Sequence, residues 1–307
     1  MADVTADYLA LRQEVGWVRV PRQVVRVTGR DAVTYLQGQL SQDIAPMAVG
    51  DSSPAFLLEP QGKVVAWLRV SRTGEEELVL DVEDGVAESM VERLDRFKIR
   101  TDCTFEPVDW AMLAVRGPLA AKLEPMPPAP GGLVVEAGWP GLAGFDLLGP
   151  APSPPHGVPE AGLDAFEAVR IESGVPRMGA EITEKTMPHE LGRWVVDASV
   201  SFTKGCYTGQ ELVYRIDARG GNVPRHLRGI LIGTNLLPPV GAEVMVAGKT
   251  VGRLTSVAES LERRAPIALA QVHRSVEPPA DAELVWEGAT GIPCRVEALP
   301  LVASDST

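Results

Sequence analysis

The sequence predicts an α+β protein in which antiparallel sheet-and-helix units are followed by a small β-barrel. Three observations lead to this fold class. Two apolar strands, 53–58 and 63–71, flank the turn residues Glu-Pro-Gln-Gly, as in a β-hairpin. Apolar residues recur at helical spacing over 85–97. From residue 225 onward, short strands follow one another closely, which is typical of a small closed barrel.

The remaining elements are predicted from residue alternation and from glycine and proline breaks. A strand over 17–27 contains Pro21, which indicates an edge or a bulge. Further helices are predicted at 6–14, 28–40 and 163–173, and further strands at 77–82, 104–115, 133–135 and 144–148. The barrel strands are predicted at 227–232, 243–246, 249–257, 267–272, 283–286 and 293–298.

The length of 307 residues is enough for two or three compact units rather than one core. We expect residues 1–108 to form an N-terminal α+β unit that 160–224 completes. We expect residues 109–159 to form a second sheet-and-helix unit and 225–303 to form the barrel.

Charge excludes some classes of partner. The net charge of −12 argues against non-specific nucleic-acid binding, which needs a basic surface. One local exception is the segment 204–228, which contains five basic and two acidic residues and so has a net charge of +3. This stretch is either a solvated helix face or a site for an anionic ligand tail.

The few cysteines favour a reducing compartment. Cys103, Cys206 and Cys294 are too scattered for a disulfide framework, and none of them has CxxC spacing. The four histidines form no HxxxH pair, so no metal site is expected. The first residues resemble no signal peptide, and no apolar run reaches membrane-spanning length, so we expect a cytoplasmic protein.

The most informative stretch is 202–215, which predicts a tight turn and then a helix. A strand is expected before it, over 194–202, because these residues are apolar and rich in β-branched side chains. Thr208 and Glu211 have the spacing of a capping box, and the helix is expected over 209–218.

Cys206 lies in the turn just ahead of this helix, where free amides and the helix dipole favour an anion. With Lys204 two residues away, its thiolate is expected to be favoured. Glycines at 205 and 209 allow another group to approach the backbone closely. The alternative is that Cys206 is a small buried hydrophobic residue, as lone cysteines often are.

A resemblance to a known family rests on these residues. Lys-Gly-Cys-Tyr-Thr-Gly-Gln-Glu at 204–211, with Arg215 four residues on, resembles the signature of the YgfZ family. These are folate-binding proteins related to the glycine-cleavage T-protein and implicated in iron–sulfur cluster assembly and repair. Segment 35–43 resembles the leucine-glutamine-glycine turn of these relatives, and segment 170–174 resembles their pterin-recognising helix end.

The resemblance implies a T-protein-like fold, with the sheet-and-helix units arranged as a ring around a folate-binding cavity. It implies tetrahydrofolate or a derivative as cofactor, and iron–sulfur client or assembly proteins as partners. Cys206 would be the functional thiol, with Lys204 stabilising its thiolate. Arg215 and Glu211 would order the turn, or Arg215 would hold a carboxylate of the folate tail.

Glu172 and Glu181 are the candidates for the pterin edge, because a carboxylate can accept from two adjacent N–H donors. The alternative is an ordinary helix-terminal salt bridge. The expected cofactor-binding residues are therefore Gly205, Tyr207, Gly209, Gln210, Glu211, Arg215, Glu172 and Glu181.

The sequence also departs from the relatives that have aminomethyltransferase activity. We find no match to their catalytic aspartate among the acidic residues of 71–84, which puts transferase chemistry in doubt. Three hypotheses remain: a folate-binding protein that supports iron–sulfur enzymes, a folate-dependent one-carbon enzyme, and a scaffold without a working cavity.

Overall fold

The computed structural model describes residues 4–123 and 130–302. The chain folds into two compact units, each assembled from segments that are distant in sequence. Unit 1 comprises Met1–Val20, Ala111–Pro176 and Pro224–Thr307, and unit 2 comprises Pro21–Trp110 and Arg177–Val223. The three-part division expected from the sequence stays a prediction.

Unit 2 is built on a five-stranded antiparallel sheet. Its strands are β2 (Arg22–Thr28), β3 (Ser52–Leu58), β4 (Val64–Arg72), β5 (Glu77–Glu83) and β6 (Thr104–Val108), in the order β3-β4-β5-β2-β6. Helices α2 (Ala32–Gln39) and α3 (Ala87–Phe97) pack on one face, where alternate strand residues are aliphatic and fully buried. The predicted β3–β4 hairpin is confirmed.

The other face of this sheet supports the elements that carry the signature. These are a short 3-10 helix (Pro188–Leu191), α5 (Arg193–Ser199) and α6 (Gln210–Asp217). They share a second cluster of buried residues with β3, including Phe56, Leu58, Val196, Tyr207 and Val213. Burial of these side chains fixes the signature against the sheet.

Two secondary-structure predictions are wrong. Residues 194–202 are not a strand, because α5 occupies most of this range. Val195, Val196 and Ser199 are buried at helical spacing, so tertiary burial outweighs the strand preference of the β-branched residues. The expected strand 17–27 is interrupted at Pro21: β1 (Gly16–Val20) belongs to unit 1, whereas β2 belongs to unit 2.

Unit 1 contains a four-stranded antiparallel sheet and the barrel. The sheet consists of β1, β7 (Ala111–Arg116), β8 (Leu133–Glu136) and β9 (Gly144–Gly149), in the order β1-β7-β9-β8. Its helices are α1 (Val4–Gln13), α4 (Leu163–Ser173) and a short 3-10 helix (Ala120–Lys122).

The barrel has six strands and closes in the order β10-β13-β12-β11-β14-β15. The strands are β10 (Arg225–Ile232), β11 (Glu243–Val246), β12 (Lys249–Ser260), β13 (Ala265–His273), β14 (Ala280–Trp286) and β15 (Ala289–Glu297). Inward-facing aliphatic residues such as Ile230, Leu254 and Leu284 fill it. The predicted α+β class with a C-terminal barrel is confirmed. Within the described ranges, no helix is both long and apolar enough to cross a bilayer.

Candidate functional site

Two segments that the sequence singles out, 35–43 and 202–215, lie far apart in sequence but are hydrogen-bonded to each other in unit 2. We call residues 36–43 and 198–209 together the junction. The amide of Thr208 donates to the Gly38 carbonyl at 3.2 Å, and the Ser201 amide donates to the Ser41 carbonyl at 3.0 Å. The Ser41 hydroxyl donates to the Ser199 carbonyl at 2.6 Å. The second segment is thus fixed to the end of α2.

Lys204 is the centre of the junction. Its ammonium donates to the carbonyls of Gln37, Leu40 and Gln42 at 2.6, 2.8 and 2.9 Å. These carbonyls lie at the C-terminal end of α2, where backbone acceptors lack helical partners and a cation is favourable. Burial lowers the pKa of Lys204 to about 8, although the nearby Asp43 carboxylate raises it.

The structure shows a backbone-binding role for Lys204, and its expected effect on the Cys206 thiolate stays a prediction. An ammonium has three donors, and these three carbonyls accept all of them. Lys204 therefore has no proton left to donate to the sulfur of Cys206. Its side chain is 8% exposed and holds the backbone of the junction together.

Cys206 is the only exposed cysteine of the three, all of which the structure describes. Burial raises the pKa of the Cys103 thiol to about 11 and that of the Cys294 thiol to about 12. Next to Cys206, Gly205 has open space where a side chain would project. The thiol of Cys206 is therefore accessible, and the alternative that it is a buried hydrophobic residue is wrong.

The backbone at Gly209 packs against another part of the protein and is not open to a ligand. Its φ of +83° is left-handed, and a Cβ there would lie 2.6 Å from the Glu59 carbonyl oxygen. Gly62, also left-handed, would place a Cβ 2.9 Å from the Cβ of Leu212. The two glycines allow the β3–β4 turn to pack against the start of α6.

The capping box predicted at this helix start is wrong. Gly209 is the N-cap and provides no side-chain hydrogen bond, so Glu211 occupies the second helical position rather than the third. Glu211 instead pairs with Arg215 at 2.5 Å on the exposed face of α6. Three of the expected cofactor-binding residues that follow Cys206 are therefore in contact with solvent: Gln210, Glu211 and Arg215. Tyr207, in contrast, is 6% exposed and belongs to the core cluster.

The two candidate pterin carboxylates lie in different units. Glu172, on α4 of unit 1, accepts from the hydroxyls of Tyr8 and Ser260, and burial raises its pKa. Glu181, in unit 2, is buried and accepts from the Arg177 amide at 3.0 Å. A bidentate pterin contact needs both oxygens of one carboxylate free. Glu172 does not fit this requirement as it stands, and the pterin role of both residues stays a prediction.

The acidic residues of 71–84 include one strongly held carboxylate that the sequence did not single out. Asp81 on β5 is fully buried and accepts from Arg22 Nε at 2.9 Å and from Arg69 Nε at 2.8 Å. Glu77 accepts from the Thr73 hydroxyl at 2.8 Å. The signal for Asp81 was an acidic residue within an apolar strand, which requires a cationic partner.

Gln37 is a further organising residue that sequence reasoning missed. Its side-chain oxygen accepts from the amides of Ile44 and Ala45 at 2.9 and 3.1 Å, and its amide donates to Asp43 at 2.7 Å. It therefore closes the loop whose carbonyls receive Lys204. In the part of the chain that the structure describes, no group of three or more His, Cys, Asp or Glu side chains could hold a metal ion.

These features describe an α+β protein with an exposed thiol beside a buried lysine. Comparison with known proteins identifies the fold as aminomethyltransferase-like. Residues 1–124 match the family model described as GCVT N-terminal domain. The crystal structure of glycine cleavage system aminomethyltransferase T from Bartonella henselae superposes with a TM-score of 0.78 at 20% identity, covering 97% of this chain and 89% of that one.

Two sequence relatives align with a large part of the chain. An aminomethyltransferase of Thermus thermophilus is 28% identical over 331 aligned residues, covering 97% of this chain and 90% of that protein. An uncharacterized protein of Haemophilus influenzae is 28% identical over 200 residues, covering 65% of this chain and 68% of that protein.

Proposed function

We propose that the protein binds a reduced folate in the cytoplasm and uses the Cys206 thiol to support assembly or repair of iron–sulfur enzymes. One observation carries this proposal. Segments 35–43 and 204–211, which resemble the YgfZ family, are joined through the Lys204 ammonium, and Cys206 in the second of them is exposed. The buried lysine fixes the backbone, and the glycine before the cysteine leaves room for a reacting partner.

A tetrahydrofolate is supported in general terms by the GCVT N-terminal domain match and by the aminomethyltransferase relatives. Gln210 and Arg215 on α6 are the residues that we assign to the anionic tail. Gln210 is at the helix N-terminus, where free amides favour an anion, and Arg215 carries a guanidinium group on the exposed face. When bound, a tetrahydrofolate supplies two neighbouring amines that carry one-carbon groups. The ring-like arrangement around it stays a prediction.

Titration with folinic acid tests the folate part. We expect saturable binding by calorimetry, and Arg215→Ala should weaken it about 5- to 10-fold, as expected for losing one charge-assisted contact. Arg30→Ala is a matched control, because Arg30 is also an exposed arginine of unit 2 that pairs with one carboxylate. If wild-type protein shows no saturable binding, only the scaffold hypothesis survives.

The thiol part is tested separately. In a strain that lacks the native gene, Cys206→Ser should fail to restore the activity of iron–sulfur enzymes under oxidative stress. Cys294→Ser is the matched control, because that thiol is buried in the barrel. Full restoration by Cys206→Ser would remove the cysteine from the mechanism while leaving folate binding untouched.

The second candidate is a tetrahydrofolate-dependent aminomethyltransferase, which the Thermus thermophilus relative favours. It needs a group near the folate amine to manage charge and protons. Asp81 is a poor candidate for this task because Arg22 and Arg69 already hold its two oxygens. Release of methylene-tetrahydrofolate from an aminomethyl donor by the purified protein would establish this activity.

A further inference from the structure

A cleft of ≈ 450 Å³ opens on the barrel, in a part of unit 1 that contains none of the signature residues. Its walls come from the end of β10, the β12–β13 turn and the middle of β15, and they include Thr234, Asn235, Arg264, Pro293 and Arg295. The cleft therefore combines hydroxyl and amide groups with two guanidinium groups.

Large aliphatic side chains are exposed on the two segments that flank this cleft. On the loop after β10, Leu236, Leu237 and Val240 are 54%, 56% and 65% exposed, and Leu261 on the β12–β13 turn is 40% exposed. Apolar side chains grouped in this way mark interaction sites more often than isolated ones do.

The loop after β10 is held in place while it exposes these side chains. The Gly233 amide donates to the Pro293 carbonyl at 2.8 Å, and the Gly241 amide donates to the Leu254 carbonyl at 2.8 Å. Between these anchors, Pro238 is buried. The aliphatic side chains are therefore presented on a fixed loop.

The β12–β13 turn is fixed in a similar way and carries unpaired positive charge. The Ser260 hydroxyl accepts from the Arg263 amide at 2.9 Å and itself donates to the buried Glu172. In the described parts of the chain, neither Arg263 nor Arg264 forms an ion pair, whereas Arg295 pairs with Glu297 at 3.2 Å. The cleft thus offers one unpaired guanidinium group, that of Arg264, on a chain whose net charge is −12.

We propose that this cleft and its two flanking segments bind a partner protein through a segment that carries a carboxylate beside apolar side chains. The carboxylate complements Arg264, and the apolar side chains cover Leu236 and Leu237. A small anion would leave the exposed leucines uncovered, which is why we assign the surface to a protein segment. The volume is sufficient for two or three side chains of such a segment.

The probe is a phage library of random 12-residue peptides, selected on the immobilised full chain and followed by calorimetry of the enriched peptides. We expect enriched sequences with Asp or Glu next to Leu, Ile or Phe. Arg264→Asp should weaken binding at least tenfold; aspartate tolerates the left-handed φ of +50° at this position. The double substitution Leu236→Ser, Leu237→Ser should do the same.

Two exposed positions outside the cleft serve as matched controls. Leu163→Ser on α4 and Arg30→Asp in unit 2 should leave the affinity within twofold. The proposal is overturned if no peptide is enriched, or if enriched peptides bind the cleft variants as tightly as wild type.

Two other occupants would also overturn it. If wild type is a dimer at about 100 μM and the double leucine variant is a monomer, the surface is an interface between copies of this chain. If free glutamate displaces the peptides at equal concentration, the cleft is a small-carboxylate site. Neither result depends on folate binding or on Cys206, so these tests are independent of the proposed function.

Discussion

The role of Lys204 gives the sharpest prediction, because the sequence and the structure assign it differently. The sequence places it beside a reactive sulfur, whereas the structure uses all three of its donors on backbone carbonyls. Lys204→Met keeps most of the side-chain volume and removes the donors. We expect it to destabilise the fold rather than to act selectively on the thiol.

The magnitude follows from two opposing terms. Three hydrogen bonds from a charged group stabilise by about 1.5–3 kcal/mol each, or roughly 5–9 kcal/mol together. Burial of the ammonium opposes this stabilisation, because it lowers the pKa of Lys204 to about 8. We therefore expect Lys204→Met to cost a few kcal/mol, about 2–6 kcal/mol, a large part of the typical stability of about 5–15 kcal/mol for a domain.

Urea denaturation followed by tryptophan fluorescence measures this change. Lys185→Met is the matched control, because Lys185 is an exposed lysine of the same unit, and it should change the free energy of unfolding by less than about 0.5 kcal/mol. Lys204→Arg should also destabilise, since a planar fork cannot direct three donors to one convergent set of carbonyls. If Lys204→Met unfolds like the control but slows alkylation of the neighbouring thiol, our assignment is wrong.

Three further predictions concern the same unit. In thermal melts, Gly209→Ala should destabilise the fold by about 1–3 kcal/mol more than Gly179→Ala. Both glycines are left-handed, but only at Gly209 would a Cβ meet the backbone of the β3–β4 hairpin. Equal losses of stability would contradict the packing argument. Iodoacetamide should modify one thiol per native chain, found at Cys206 by mass spectrometry, while the two buried cysteines react only after unfolding. Burial lowers the pKa of His189, so the fold favours its neutral ring and should lose stability as the pH falls below the unfolded value of about 6.5. The melting temperature of His189→Gln should therefore fall less than that of wild type between pH 7.5 and 5, whereas His156→Gln, at an exposed position, should behave like wild type.

Much of the fold could be predicted because its signals are local. The β3–β4 hairpin has its turn residues between two apolar runs, and α3 has its apolar residues at helical spacing. The barrel strands are separated by glycine and proline turns, so their number and order along the chain are predictable. The sequence does not decide whether Cys206 is buried or exposed, because a lone cysteine between glycines is found in both environments.

The errors arose where distant contacts decide the outcome. Residues 194–202 have strand-like composition, but burial of Val195 and Val196 against the sheet makes them helical. The capping box failed because the contact of Gly209 with the hairpin sets the helix start one residue later than the sequence pattern required. Neither contact has a local signature.

Periodicity, turn residues and a contiguous motif are properties of neighbouring residues, so the fold class, the six barrel strands and the stretch with the exposed thiol are predictable from the sequence. The partners of Lys204 and of the buried acidic residues depend on tertiary contacts. The acceptors of Lys204 are backbone carbonyls more than 160 residues away, and backbone carbonyls leave no mark in a sequence. Asp81 likewise finds Arg22 and Arg69 only when β2, β4 and β5 are paired, since the charges meet across strands rather than along the chain.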